Sequence, residues 1–330
     1  MRVIAGDIGG TKVLLELLEV GPGTRQVIVE RRYESALFPT FESMLTEFTR
    51  TEPGEISAAC FAVAGPVLDG RSEITNLRWV IEAHSLQEIF SIPTVSLMND
   101  FAAIAVGVPL LNSDDLRSLN RGVRDRTMPM AILGAGTGLG EAIVLPDGDG
   151  WRTVPSEGGH CDFAPSNQDQ MDLLKVLQER YGHVSFERVV SGMGLVNIFT
   201  FLRDRQGSSA SVDRRFSEDH ADIPAILSEL AGQGDPFSVQ AFGMFVDAYG
   251  AEAGNLALKV LARGGVYLAG GIVGKNLERF TDGRFMRSFA DKGRFRELMM
   301  DFPVDAITNQ KVGLIGAAAV AARSATNTDR

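Results

Sequence analysis

The sequence predicts an α/β protein of two domains built on mixed sheets, and three observations carry that expectation. Two glycine-rich stretches, Gly6-Asp7-Ile8-Gly9-Gly10-Thr11 and Gly134-Ala135-Gly136-Thr137-Gly138-Leu139-Gly140, each join one short apolar run to another, which reads as strand, turn, strand. After the first of them, strand-like and helix-like runs follow in turn, as in a mixed sheet covered by helices. The chain has 330 residues, and single cores stop growing at roughly 250–300 residues, so two cores are expected.

The elements follow in order. Val3-Ile4-Ala5 and Val13 to Leu18 flank the first glycine stretch, Gly21-Pro22-Gly23 turns the chain, and Gln26 to Val29 adds a third strand, giving an antiparallel meander. A helix is expected over Phe41 to Arg50. Ile56 to Ala64 is an apolar run closed by Gly65-Pro66, and Thr94 to Met98 is a short strand ending at Asn99-Asp100. Residues at the carboxyl ends of such strands line the binding crevice of open α/β sheets, which groups Asp7, Gly65, Asn99 and Asp100. The polar stretch Asn112 to Arg126 lacks apolar periodicity and marks the boundary, so that 1–111 with the C-terminal helix of 302–330 forms a small domain and 112–301 a large one.

In the second half, Met130 to Leu133 and Ala142 to Leu145 flank the second glycine stretch. Gln168 to Tyr181 carries Met171, Leu174, Leu177 and Tyr181 at helical spacing, and Pro236 to Arg263 is a long helix that includes Gly243, Gly250 and Gly254. Those glycines lower helix propensity, so a close approach of another backbone is the expected compensation. Between these helices, Arg203 to Asp235 reads as a surface loop plus a short helix. Gly265 to Ile272 is a strand running into a glycine turn, Val312 to Arg323 a small-residue helix, and Ser324 to Arg330 a frayed tail.

Composition excludes several classes. Hydrophobic residues at 45% and charged ones at 22% suit an ordinary globular core. A net charge of −10 disfavours nucleic acid and anionic membrane surfaces, which reward clustered Lys and Arg. Cys60 and Cys161 are the only cysteines, too few for a disulfide framework or a cysteine-cluster zinc site, and point to a reducing cytoplasm. Asp7 interrupts any apolar leader, so no secretory signal is expected, and the longest apolar stretches fall short of the ~20 residues that cross a bilayer.

Glycine permits positive φ and close approach to a ligand, and successive N–H groups in such turns form an anion-binding concavity to which the Thr11 and Thr137 hydroxyls add donors. Either stretch alone is equally well an ordinary hairpin; the duplication favours phosphate binding. Neither fits a P-loop or a Rossmann fingerprint: Gly274-Lys275 has Ala269 and Asn276 at the other key positions, and Leu139 stands where the third Rossmann glycine belongs.

Glu157-Gly158-Gly159-His160 with Asp162-Phe163-Ala164-Pro165, Met98-Asn99-Asp100-Phe101, His183 to Arg188, Ser191-Gly192 and Ala269-Gly270-Gly271-Ile272 complete a set of motifs with the two glycine stretches. In this order and spacing the set resembles bacterial glucokinases of the group without the cysteine-rich zinc motif, within the sugar-kinase, actin and heat-shock ATPase superfamily. The resemblance spans nearly the whole chain. It implies an actin-like ATPase (ribonuclease H-like) fold with an interdomain cleft, and transfer of phosphate from ATP to the 6-hydroxyl of glucose as the first step of glycolysis. It further implies Mg²⁺, a cytoplasmic location and a homodimer.

Residue roles follow on the same terms. Asp100 is the candidate base for the sugar hydroxyl, the alternative being that Asn99 or Asp100 caps the following helix. Glu157 and His160 lie on a loop, lack a third metal ligand, and suit hydrogen bonding to a polyol; with Asn99, Asp100 and Glu187 they would ring the sugar. Glu187 equally suits the first turn of a helix on dipole grounds. The resemblance gives Asp7 to Mg²⁺ through water. It gives Gly6, Asp7, Ile8, Gly9, Gly10, Thr11, Gly136, Thr137 and Gly138 to the ATP phosphates, and Gly270-Gly271-Ile272 to the adenosine. Lys12 departs from the group, which usually carries Asn there. The alternatives are a kinase for another hexose or amino sugar, or a sugar-sensing regulator. Such regulators usually add a DNA-binding domain, for which a first strand starting at Arg2 or Val3 leaves no room.

Overall fold

The computed structural model describes the chain apart from residues 22–23, 75–76, 208–214, 216–221 and 329–330. It divides into two compact units, 1–112 with 311–330, and 113–310. Part of the turn expected at Gly21-Pro22-Gly23 and the middle of the excursion over 203–235 lie outside the described residues.

In the smaller unit β1 (Arg2–Ile8), β2 (Lys12–Gly21) and β3 (Thr24–Glu34) form the antiparallel meander, and α1 (Phe41–Arg50) follows. Helix α1 starts where Thr40 and Ser43 form a reciprocal capping box. It buries Phe41, Met44, Leu45 and Phe48, a stripe at helical spacing. β4 (Ala58–Val63) is buried at every residue, as a central parallel strand must be. β5 (Arg71–Ile74) and β6 (Trp79–Glu82) make a separate ribbon. They precede α2 (Ala83–Phe90), β7 (Thr94–Asn99) and α3 (Asp100–Gly107).

The sheet order is β3-β2-β1-β4-β7, with β1, β4 and β7 parallel. Period-two alternation sends Ile4, Ile8 and Phe61 to the face covered by α1, and Val3, Ala5, Cys60 and Ala62 to the face covered by the C-terminal helix. That helix, Val312–Thr328, uses small residues to come close to α3: a Cβ on Gly316 would overlap the Ala103 carbonyl, and one on Gly107 the Val312 carbonyl. Its expected end at Arg323 is corrected, because Ala325 is still buried against the sheet and the helix continues through Thr328.

In the larger unit the strands are β8 (Leu116–Asn120), β9 (Met130–Ala135), β10 (Leu139–Asp147), β11 (Gly150–Ser156), β12 (Gly265–Ala269) and β13 (Val304–Ile307), in the order β11-β10-β9-β12-β13-β8. The first five of these neighbours repeat the smaller sheet: an antiparallel meander, then two strands parallel to its first. The two glycine hairpins occupy the same place in the repeat, joining β1 to β2 and β9 to β10. Two boundary details differ from the sequence reading. The polar stretch after Asn112 holds β8, an edge strand whose exposed residues give no apolar pattern, and residues 304–307 form β13 of the larger unit, not part of the C-terminal helix.

The helices of this unit are α4 (Gln168–Tyr181), α5 (Gly192–Gln206), α6 (Ile223–Gly232), α7 (Pro236–Val260), α8 (Gly271–Lys275), α9 (Leu277–Thr281), α10 (Arg284–Ala290) and α11 (Arg296–Asp301). Helix α7 runs through the core with residues buried on all sides. Its glycines have the expected compensation: a Cβ on Gly250 would stand 2.5 Å from the Phe285 carbonyl oxygen, and one on Gly254 would overlap that of Phe289, so α10 packs backbone to backbone on α7. No helix among the described residues is long and apolar enough to cross a membrane.

Candidate active site

In the smaller unit the parallel register sets Ile8, Val63 and Asn99 side by side, so β1, β4 and β7 end together. Asn99 holds that edge. Its Nδ2 donates to the Gly65 carbonyl at 3.1 Å, while its Oδ1 accepts from the Phe101 and Ala102 amides at 2.9 and 3.3 Å. Asn99 is therefore the N-cap of α3. Asp100, the first residue of α3, accepts from the Phe101 amide at 2.7 Å. Burial raises its carboxyl above the usual range, against the pull of its hydrogen bonds. Asp7 is also raised, to about 6, by burial first and then by the charge of Asp100. Two half-buried, adjacent carboxylates without a cation are an electrostatic deficit, and hard oxygen donors of this kind fit Mg²⁺. Among the described residues no three His, Cys, Asp or Glu gather as a metal cluster, so a cation beside Asp7 would keep most of its water.

The first hairpin is braced from below. The Gly9 amide donates to the Lys12 carbonyl at 3.0 Å, and buried Ser35 bonds the loop twice, through its hydroxyl to the Gly9 carbonyl and its amide to the Thr11 carbonyl. Ile8 is fully buried, so only its backbone is available to a ligand. Positive φ is one of the two reasons expected for the glycines, beside close approach to a ligand, and it is corrected: none of Gly6, Gly9, Gly10, Gly134, Gly136, Gly138 or Gly140 adopts it. Crowding explains two of them instead. A Cβ on Gly6 would meet the Phe61 ring at 2.7 Å, and one on Gly138 would overlap the Glu187 carboxylate. Gly136 has open space around it, and it lines a cavity of about 740 Å³ with Thr137, Met193, Gly271, Ile272 and Lys275.

That cavity joins the second hairpin to the glycine turn after β12. Gly270 has φ +95°, and a Cβ there would overlap the Ala135 carbonyl, so both its conformation and its packing require glycine. The Gly192 amide at the start of α5 donates to the Gly136 carbonyl at 2.8 Å, fixing the other side. Lys275, Met193 and the Ser228–Asn276 hydrogen bond of 2.6 Å on this wall were missed by the sequence reading. The available signal was Gly274-Lys275, set aside because it fails the P-loop pattern.

Glu157, His160 and Glu187 come together in the larger unit. Gly158–His160 is one 3₁₀ turn, a correction to the plain loop expected, closed by the His160 amide on the Glu157 carbonyl at 3.0 Å. His160 stands between two carboxylates, with Nε2 3.9 Å from Glu157 Oε2 and Nδ1 3.9 Å from Glu187 Oε1. The glycine pair seats the turn on β10: a Cβ on Gly158 would overlap Glu141, and one on Gly159 the Leu139 carbonyl. Glu187 lies in the 3₁₀ turn Phe186–Arg188, and its Oε2 accepts from the Leu139 amide at 3.0 Å, tying it to the second hairpin. The Phe186 amide donates to the Cys161 carbonyl at 2.9 Å, which brings the two motif segments together. Glu157 is almost fully exposed and His160 mostly so, free to meet a ligand.

The Glucokinase family model matches residues 4–324. The chain belongs to the glucokinase family. The glucokinase of Nostoc sp. is 45% identical over 338 residues, covering 97% of this chain and 99% of its own length. Among solved structures, a glucokinase from an Antarctic psychrotroph superposes with a TM-score of 0.84 at 29% identity, over 98% of this chain and 99% of its own. A ROK family glucokinase from Streptomyces griseus, solved with glucose and AMPPNP, shares the fold at a TM-score of 0.64 and 22% identity, over 98% and 100%. Family membership thus agrees with the actin-like, mixed-sheet architecture and with the sugar-kinase motifs on which the resemblance rests.

Proposed function

We propose that this chain transfers the γ-phosphoryl group of ATP to the 6-hydroxyl of glucose, giving glucose 6-phosphate and ADP. The observation that carries the reading is Asp100, a half-buried acid at a strand end, next to a second half-buried acid and with its carboxyl raised above the usual range. Phosphoryl transfer to a sugar leaves the protein little covalent chemistry; it needs placement, charge stabilisation and a group that takes the hydroxyl proton. Asp100 takes that proton. Asn99, Glu157, His160 and Glu187 hydrogen-bond the remaining hydroxyls, with the carboxylates accepting and the Asn99 amide donating.

Backbone amides of Gly6 to Thr11 and of Gly136 to Gly138, with the Thr11 and Thr137 hydroxyls, hold the phosphates, and the cavity wall at Gly270, Gly271 and Ile272 takes the adenosine. Mg²⁺, held by Asp7 through water, would neutralise the phosphate charge. The enzyme is assigned to the cytoplasm and to a homodimer, which sedimentation checks. The test of the reading is ADP release across a panel of hexoses and phosphoryl donors. Release that depends on glucose and ATP supports it, and the absence of release with any hexose overturns it. Glu187→Gln adds a local check, because a purely structural tie to Leu139 leaves glucose KM unchanged.

A further inference from the structure

Glu141 and Glu252 are buried carboxyl groups, 3% and 1% exposed, with no part in the chemistry above. Glu141 lies on β10, and its Oε2 fills the space directly beneath Gly158, the residue between Glu157 and the rest of the sugar-binding turn. The Ser156 hydroxyl, which accepts from the Gly158 amide at 3.0 Å, closes the same space. Any change in the size, hydration or position of the Glu141 carboxyl is therefore felt by the turn.

The groups that face Glu141 from α7 are Glu252, Tyr249 and Lys259. Compensation collects around Glu252: its Oε2 accepts from Asn255 Nδ2 at 2.8 Å, and Asn255 Oδ1 accepts from Lys292 Nζ at 2.7 Å. Glu141 has a buried Oε1 with no partner. Two adjacent buried carboxyls keep one proton between them. Glu141 is the one that holds it, since burial and then the charge of Glu252 push it up to about 8.

We propose that Glu141 is a positioning residue for sugar binding: with its proton it is a neutral floor for the Glu157–His160 turn, and without it the like charge of Glu252 drives it against Gly158 and displaces the turn. The inference rests on the assignment of that turn to the sugar. Loss of the proton to solvent weakens glucose binding without changing the phosphoryl transfer step.

The experiment is equilibrium glucose binding from pH 7 to pH 9, with kcat measured in parallel. The wild type loses affinity on the order of tenfold over that range while kcat at saturating sugar holds. Glu141→Gln, a neutral side chain of the same shape, binds as the wild type does at pH 7 and stays flat to pH 9. Glu252→Gln removes the like charge that drives Glu141 against Gly158, so its glucose affinity also stays flat to pH 9; it serves as the second variant if Glu141→Gln does not fold. A profile parallel to the wild type in either Glu141→Gln or Glu252→Gln overturns the proposal. Glu157→Gln and His160→Ala separate the two readings: if neither changes glucose affinity at pH 7, it is the sugar assignment of the turn that fails.

Discussion

At the scale of single residues, the helix cap and the proposed base are neighbours in the chain. Asn99 takes the cap, bonding Phe101, Ala102 and Gly65, and this leaves Asp100 placed by the cap but not consumed by it. Asp100→Asn keeps the amide contact through its carbonyl oxygen, so it is expected to fold normally and to lose about 10²–10⁴ in kcat, read from steady-state kinetics. Asp7 gives a pH test with a definite sign. Burial and the Asp100 charge push its carboxyl up to about 6 from the ordinary 3.8, so the folded state binds the proton more tightly and stability contributed by this group falls as pH rises from about 4 through 6. Asp7→Asn should stabilise the ligand-free protein by up to about 3 kcal/mol at pH 7 and by almost nothing at pH 4, measured by urea unfolding in EDTA. Both aspartates were legible in the sequence as acids ending apolar runs. Glu141 was not, because a lone acid in a strand reads as a solvent-facing residue until α7 is packed over it.

Among the elements, the glycine hairpins were legible in place but not in cause. Sequence reasoning asks for positive φ and close approach of a ligand, whereas the structure uses glycine to bring the protein's own groups into contact: Gly138 with Glu187, Gly159 with the Leu139 carbonyl, Gly6 with Phe61. Such distances depend on the partner element, which no local window contains. Gly159→Ala must lift the turn off β10 at a cost of about 1–3 kcal/mol. Glucose KM should therefore rise by roughly one to two decades with a smaller change in kcat. Helix α7 offers a case where two effects have opposite sign. Alanine favours a helix over glycine by about 1 kcal/mol, but a Cβ on Gly250 would press on the Phe285 carbonyl at 2.5 Å. Overpacking against backbone costs about 1–3 kcal/mol, so Gly250→Ala is expected to lower the urea midpoint despite its better propensity.

For the molecule as a whole, the sequence announced two cores and a repeated hairpin, and the structure extends the repeat to five strands in each sheet. Strand β8 escaped notice because its exposed edge carries no apolar alternation, and β13 because four buried residues are too short a run to separate from the helix that follows. Ligand linkage is the test at this scale: glucose at a hundred times its Kd should stabilise the protein by about 2.7 kcal/mol, seen as a rise in Tm that a non-binding hexose does not reproduce. The chain leaves the smaller unit at 112 and returns to it at 311. The face of its sheet carrying Val3, Ala5, Cys60 and Ala62 is covered by Leu314, Ala317, Ala318 and Ala321. During synthesis from the N-terminus, the larger unit is therefore complete before the smaller one can close its core, and the unit whose chain is begun first is the one that finishes folding last.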